Sequence, residues 1–327
     1  MGAPLISATD RILQSVGDRP RALVGLAAAR IGVGVAQLSL FLSDYGDRRV
    51  LFGAESFYPR EDVGHAGGFN LFVALGDGSV AFELLYHLGI VLCVAMVVGV
   101  GGRLVIAGAW AVCWTMWGAN PFLIDGGDNL SMIVMPLLAV SRCTDRLSVR
   151  SNWPPIARVR RVGHTWWATM LSNAAALAIA LQICLVYLMS GLYKAQGDMW
   201  IDGTALYYVM RTPEYFHPAL SPLVLEHDHV VVLGTYGAML ALIGFPFLVV
   251  SRSVRPWAVL MMVTFHLSIA LFMGLTSFAL VMIACDTIFV SSHLERFVAW
   301  LRGRGGAGAD DGPRSEDGRP SAVEIDA

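Results

Sequence analysis

Apolar runs long enough to cross a bilayer recur along nearly the whole chain, and no other feature limits its fold as strongly. A helix rises about 1.5 Å per residue, so roughly twenty residues span the ~30 Å hydrocarbon core. Such runs lie at approximately 22–43, 80–99, 104–123, 126–140, 167–192, 229–250, 256–274 and 276–292; the fourth is short and carries Pro136. Lipid offers the backbone no hydrogen-bond partner, so a spanning segment closes its bonds internally as a helix. The expected fold is therefore an all-α integral membrane protein, a bundle of about eight transmembrane helices. Composition agrees: 56% of the 327 residues are hydrophobic and 15% are charged, and the charges bunch between the runs.

Orientation follows from the basic residues, which favour the cytoplasmic side. With the N-terminus inside, seventeen arginines fall in inner segments, while Arg48, Arg49, Arg60, Lys194 and Arg211 fall in outer ones. An even number of spans places both ends inside. The expected organisation is a cytoplasmic N-terminal segment (1–21), a membrane domain (22–292) and a disordered cytoplasmic tail (293–327), polar and rich in Gly and Asp from 303 onward. The first run lacks a small-x-small cleavage site, so it reads as a retained span and not a signal peptide.

Several function classes drop out. A net charge of −2, with no basic block interleaved with aromatics, gives no footprint for nucleic acid. Five cysteines stand singly without Cys-x-x-Cys spacing and read as buried small hydrophobes, so neither a disulfide framework nor a zinc site is expected. His227-Asp228-His229 places its rings on different sides of any helix and reads as a solvated loop, so no metal is expected. The chain has no inverted pair of broken helices, which counts against a transporter.

Ionisable and polar groups inside the runs cost free energy in hydrocarbon and are functional candidates by default. Arg30, in the first run, should face the bundle and meet an acidic or carbonyl partner, Glu83 or Asp286 for example; a structural ion pair with Asp286 ranks first. His87 and His266 are either proton carriers or hydrogen-bonded packing residues. In the segment 120–129, Gly126-Gly127 allows a tight turn, with Asp125 and Asp128 either closing a hairpin or walling an outward site.

The segment 182–208 holds Lys194, the only lysine, whereas the other twenty-two basic residues are arginine. An amine in an apolar setting can lose its proton and act as a base; a guanidinium cannot readily do so. The bland reading is a lysine snorkelling at a helix end, which arginine would do equally well. Tyr187, Ser190 and Gly191 precede it, the last two on its helical face, and small residues there permit close approach. Asp198, Trp200, Asp202, Gly203 and Thr204 follow, before Tyr207 and Tyr208 return to the membrane interface. An apolar floor favours the neutral amine and an acidic rim the ammonium.

The pattern Tyr187-x-x-Ser190-Gly191-x-x-Lys194 followed by Trp200-x-x-Gly203-Thr204-Ala205-x-x-Tyr208 resembles the HTTM (horizontally transferred transmembrane domain) family, related to the membrane domain of vitamin K-dependent gamma-carboxylase. Arg30, Gly127-Asp128 and the stretch from Phe265-His266-Leu267 through Phe278 and Asp286 fit the same family. Within it, the chain looks most like the bacterial B component of the sporulation-delaying-protein system, which helps mature a secreted antimicrobial peptide. The resemblance implies a multi-pass protein of the bacterial plasma membrane. It also implies that Lys194 is the catalytic base, a quinone is the cofactor, and a secreted peptide and a soluble accessory protein are partners beside the lipid bilayer. Two departures stand out. The carboxylase histidine near Asp128 to Leu130 is missing, and a large lumenal domain is expected to be absent, so glutamate carboxylation itself is not expected. The alternatives are a non-enzymatic membrane partner that binds or escorts a peptide, or a transporter.

Overall fold

A computed structural model describes residues 17–53, 78–149 and 166–306, together with Ser56 and Leu71. Expectations for the first sixteen residues, for Glu55, Arg60, Glu61 and Asp62 of the first outer loop, for 150–165 and for 307–327 lie outside the described residues.

The described residues form helices and turns, with no strand among them. The principal helices are α1 (Leu23–Ser43), α3 (Ser79–Val98), α4 (Arg103–Ala119), α5 (Gly126–Val140), α6 (Trp166–Lys194), α10 (Asp228–Leu248), α11 (Arg255–Met273), α12 (Thr276–Asp286) and α13 (Ser291–Gly306). Short helices intervene: α2 (Arg48–Leu51), α7 (Asp198–Ile201), α8 (Ala205–Val209) and α9 (Ser221–Leu225). Five of them, α1, α3, α6, α10 and α11, are long and apolar enough to cross a membrane. A sixth crossing arises only if α12 and α13, bent by 92° at their junction, count as one. The expected runs at 104–123 and 126–140 emerge as helices of 17 and 15 residues, the second with Pro136 inside it.

α1 is the centre of the bundle: 67% of its apolar window is buried, against 22% for α10 and α11. It packs on α3, α5 and α12, and its small residues let neighbours come close. A Cβ at Gly25 would lie 2.7 Å from Ile288 Cα, and one at Gly32 would collide with Ala284. The start of α1 also anchors other elements. The Arg21 N–H donates to Asn173 Oδ1 of α6 at 2.7 Å, and the Gly25 N–H to Ser291 Oγ of α13 at 3.0 Å. α6 therefore starts at the same end as α1, and its other end, with Lys194, points away from there.

α6 lies against α10. A Cβ at Gly191 would come within 2.5 Å of Ile243 Cγ1 and 3.0 Å of the Ile243 backbone nitrogen, so this glycine sets the helix–helix distance. Gly191→Val forces the pair apart. It is expected to cost about 1–3 kcal/mol, as overpacking does, read as a lowered thermal unfolding midpoint in detergent. Since Gly191 meets Ile243 while residues 201–206 meet Thr235 and Tyr236, α10 continues past the end of α6. The loop after Lys194 folds onto that extension: the Tyr236 hydroxyl donates to Ile201 O at 2.6 Å, and the Leu206 N–H to Thr235 Oγ1 at 3.1 Å.

Three expectations are corrected here. Residues 291–306 are helical, although the chain was expected to be disordered from 293. Gly126 and Gly127, expected to allow a tight turn, instead begin α5, capped by Asp125, and a Cβ at Gly127 would lie 2.8 Å from Phe278 Cα, so close approach is what they permit. Glu83 does not meet Arg30, because it pairs with Arg48 (3.1 Å) and Arg49 (2.7 Å).

Candidate functional site

Arg30 is wholly buried, and its guanidinium is spent on backbone carbonyls. Nη1 donates to Met96 O and Val97 O, Nη2 to Leu147 O at 2.6 Å, and Nε to Cys143 O at 3.4 Å. Met96 and Val97 belong to the last turn of α3, where a helix leaves its carbonyls unpaired and its dipole favours a cation. Leu147, a non-glycine residue at φ 47°, is held in a sparsely populated conformation by this clamp. The expected ion pair with Asp286 is not formed. A fork with five donors satisfies several carbonyls at once, which one carboxylate could not replace.

Asp286 instead joins Tyr187 and His266. The Tyr187 hydroxyl donates to Asp286 Oδ2 at 2.9 Å and lies 3.0 Å from His266 Nε2. All three side chains are at most 1% exposed, and they come from α6, α11 and α12. Aromatic rings wall them: Phe245 is edge-on to Tyr187 at 4.9 Å, and Phe265 and Phe278 flank His266 at 5.1 and 5.6 Å. Among the described residues His266 Nδ1 and Asp286 Oδ1 have no hydrogen-bond partner. Removing the hydroxyl by Tyr187→Phe leaves the bonded atoms of both partners unsatisfied. The expected cost is about 1–3 kcal/mol, measured by thermal unfolding; an unchanged midpoint would mean that the cluster does not hold these helices together.

Lys194 ends α6 half-buried, its Nζ 5.1 Å from the centre of the Trp200 ring. Among the described residues no carboxylate lies within 4.0 Å of it; Asp198 and Asp202 are exposed. Ser190 is half-buried one turn before it. Gly203, at φ +73°, makes the turn that lets Tyr236 pack against the loop, and Thr204 Oγ1 donates back to Met199 O at 3.3 Å. The acidic rim expected around Lys194 is therefore not assembled among the described residues, and the Trp200 ring lies beside the amine.

Asp128 forms a third group. Asp125 and Asp128 make a reciprocal capping box at the start of α5, and Asp128 Oδ1 accepts from Gln37 Nε2 of α1 at 3.2 Å. Among the described residues Gln37 Oε1, Ser131 Oγ and Trp117 Nε1 are buried here without partners. Sequence reading missed Gln37, though an amide inside an otherwise apolar run was a usable signal. Nearby, just past α1, burial pushes the Asp44 carboxyl up, opposed by the Ser43 hydroxyl and reinforced by Asp47. His87 lies outside the interior, bonded to Tyr45 at 3.1 Å and to its own helix.

The structure thus brings together Tyr187, His266 and Asp286, then Lys194 and Trp200, then Asp128 and Gln37. An apolar helical bundle with a lone amine at a helix end and buried polar clusters among its helices defines a multi-pass membrane protein of a particular kind. The HTTM domain matches residues 19–293, and the chain belongs to that family. Its relatives include sporulation-delaying protein SdpB of Bacillus subtilis, 25% identical over 219 residues, covering 65% of this chain and 65% of that protein. YitO of the same organism, an uncharacterized protein, is 24% identical over 217 residues, covering 64% of this chain and 67% of the relative. The chain thus spans a little under two thirds of SdpB. No solved structure matches it.

Proposed function

We propose that this HTTM protein sits in the bacterial plasma membrane with about eight spans and both termini cytoplasmic, and that it assists maturation or modification of an exported peptide, with Lys194 as general base. The observation that carries the reading is the lysine itself: the chain's only one, half-buried against an indole, with no carboxylate in reach among the described residues. SdpB's name links that relative to the sporulation-delaying protein, which supports a peptide-related role.

A neutral amine at Nζ accepts a proton from an acidic hydroxyl, and the Trp200 face offers a flat apolar wall beside it. A quinone is the cofactor implied by the carboxylase resemblance. The Lys194 site fits one in kind, with an amine beside an indole face; Gln37 Oε1, Trp117 Nε1 and Ser131 Oγ, unpaired among the described residues, form a separate group among α1, α4 and α5. Such a cofactor would supply a hydroxyl proton and an electron pair. The reading is tested by Lys194→Arg with membrane insertion verified, since retained peptide maturation would sink the base.

A non-enzymatic escort is the second reading, favoured by exposed apolar side chains in the segment after Lys194: Met199, Ile201, Tyr208, Phe216 and Leu223. It requires that Lys194→Arg be tolerated while changes in 44–79 or 198–228 are not.

A further inference from the structure

The Tyr187 cluster has a feature that packing does not require. A phenol carries one proton, and in this geometry it goes to Asp286 Oδ2. The contact between Tyr187 Oη and His266 Nε2, at 3.0 Å, then needs its proton on Nε2, which leaves Nδ1 as a bare acceptor. Among the described residues Nδ1 has no partner although it is buried, and the same holds for Asp286 Oδ1 at the opposite end. A buried carboxyl would ordinarily be matched by a cation. Arg30, the buried cation of the bundle core, is committed to four carbonyls.

We propose that His266, Tyr187 and Asp286 form a buried proton relay whose entrance is His266 Nδ1 and whose store is the Asp286 carboxyl. A proton arriving at Nδ1 releases the Nε2 proton to Tyr187 Oη, and the phenolic proton passes to Asp286 Oδ2. His266 ends as the neutral Nδ1–H tautomer, Tyr187 as the phenol and Asp286 as the acid. Each of the first two residues has gained one proton and lost one, so one proton has moved inward and no electron has moved. The order is dictated by the bonds, since Tyr187 is the only side chain hydrogen-bonded to both of the others among the described residues.

The surroundings suit such a store. α10 contributes Phe245 to the wall, α11 Phe265 and α12 Phe278, all without a charge. Among the described residues the titratable groups that face the cluster are Cys184 on α6 and Cys285 on α12, both thiols. Phe278 also packs on Gly126, where a Cβ would lie 3.3 Å from its ring. This ring therefore touches both His266 and the start of α5. The relay does not depend on Lys194 being a base.

The test is infrared spectroscopy of the full chain in detergent, following the carboxylic-acid carbonyl band on transfer to heavy water. The expected result is a buried-acid band that vanishes in Asp286→Asn and whose deuterium shift is slowed at least about tenfold in Tyr187→Phe, because the ring remains while the hydroxyl that hands on the proton is gone. His266→Gln supplies a second variant: the amide can still donate to Tyr187 Oη but cannot pass a proton through, so the same slowing is expected. A band insensitive to Asp286→Asn, or exchange as fast as in the unsubstituted chain in a folded Tyr187→Phe or His266→Gln protein, overturns the relay and leaves a structural pin.

Discussion

Lys194→Arg is expected to abolish peptide maturation, by at least about 100-fold, while the protein inserts and accumulates normally. General base catalysis contributes typically two to four orders of magnitude, and a guanidinium keeps the charge but cannot serve as the base. The fold should tolerate the change. The Lys194 ammonium makes no hydrogen bond or ion pair among the described residues, and it lies over the Trp200 ring, over which an arginine also stacks. The assay is mass spectrometry of the exported peptide from cells carrying each variant, with membrane content measured alongside. Full retention of maturation would favour the escort reading, and Met199→Glu or Tyr208→Glu on the exposed segment should then be the damaging changes.

The second large effect is structural. Arg30→Gln is expected to destabilise the bundle by several kcal/mol, a large part of the roughly 5–15 kcal/mol typical of a folded protein. The reason is the number of groups abandoned: four carbonyls, from the end of α3 and from the segment after α5, lose charged donors worth about 1.5–3 kcal/mol each. An amide restores at most two of those bonds. Arg30→Lys should recover only part of the loss, because a single ammonium lacks the planar fork that reaches Met96, Val97 and Leu147 together. Thermal unfolding in detergent and the yield of membrane-inserted protein read both variants. A wild-type midpoint for Arg30→Gln would mean that water replaces the guanidinium. Asp286→Asn supplies the contrast: an Arg30–Asp286 ion pair would couple the two substitutions in a double-mutant cycle, whereas separate clusters predict additivity.

The candidate site was legible in proportion to how much of it is local in sequence. Lys194 stands out because one lysine among many arginines needs no neighbours to be noticed, and Tyr187 lies on the same helix seven residues before it. Trp200 was within reach for the same reason, being six residues further on. The acidic rim failed because Asp198 and Asp202 occupy a turn whose orientation is set by α10: Gly203 turns the chain and Tyr236 holds Ile201, so proximity in sequence did not become contact. Gln37 and Asp128 are about ninety residues apart, and nothing short-range links them.

By itself the sequence determined that this chain is a helical membrane protein, where most of its apolar helices run, and which family it belongs to. Hydrophobic length and the positions of charge are properties of single segments. Only the tertiary structure decided the partners: Arg30 with the carbonyls at the end of α3, Asp286 with Tyr187 and His266, Gly191 with Ile243. A helix that is apolar on every side carries no periodic mark of its inward face, so its rotation and depth are settled by packing against the others. Lys194 was visible from the first reading of the chain, whereas the buried proton path became visible only when three helices had been set side by side.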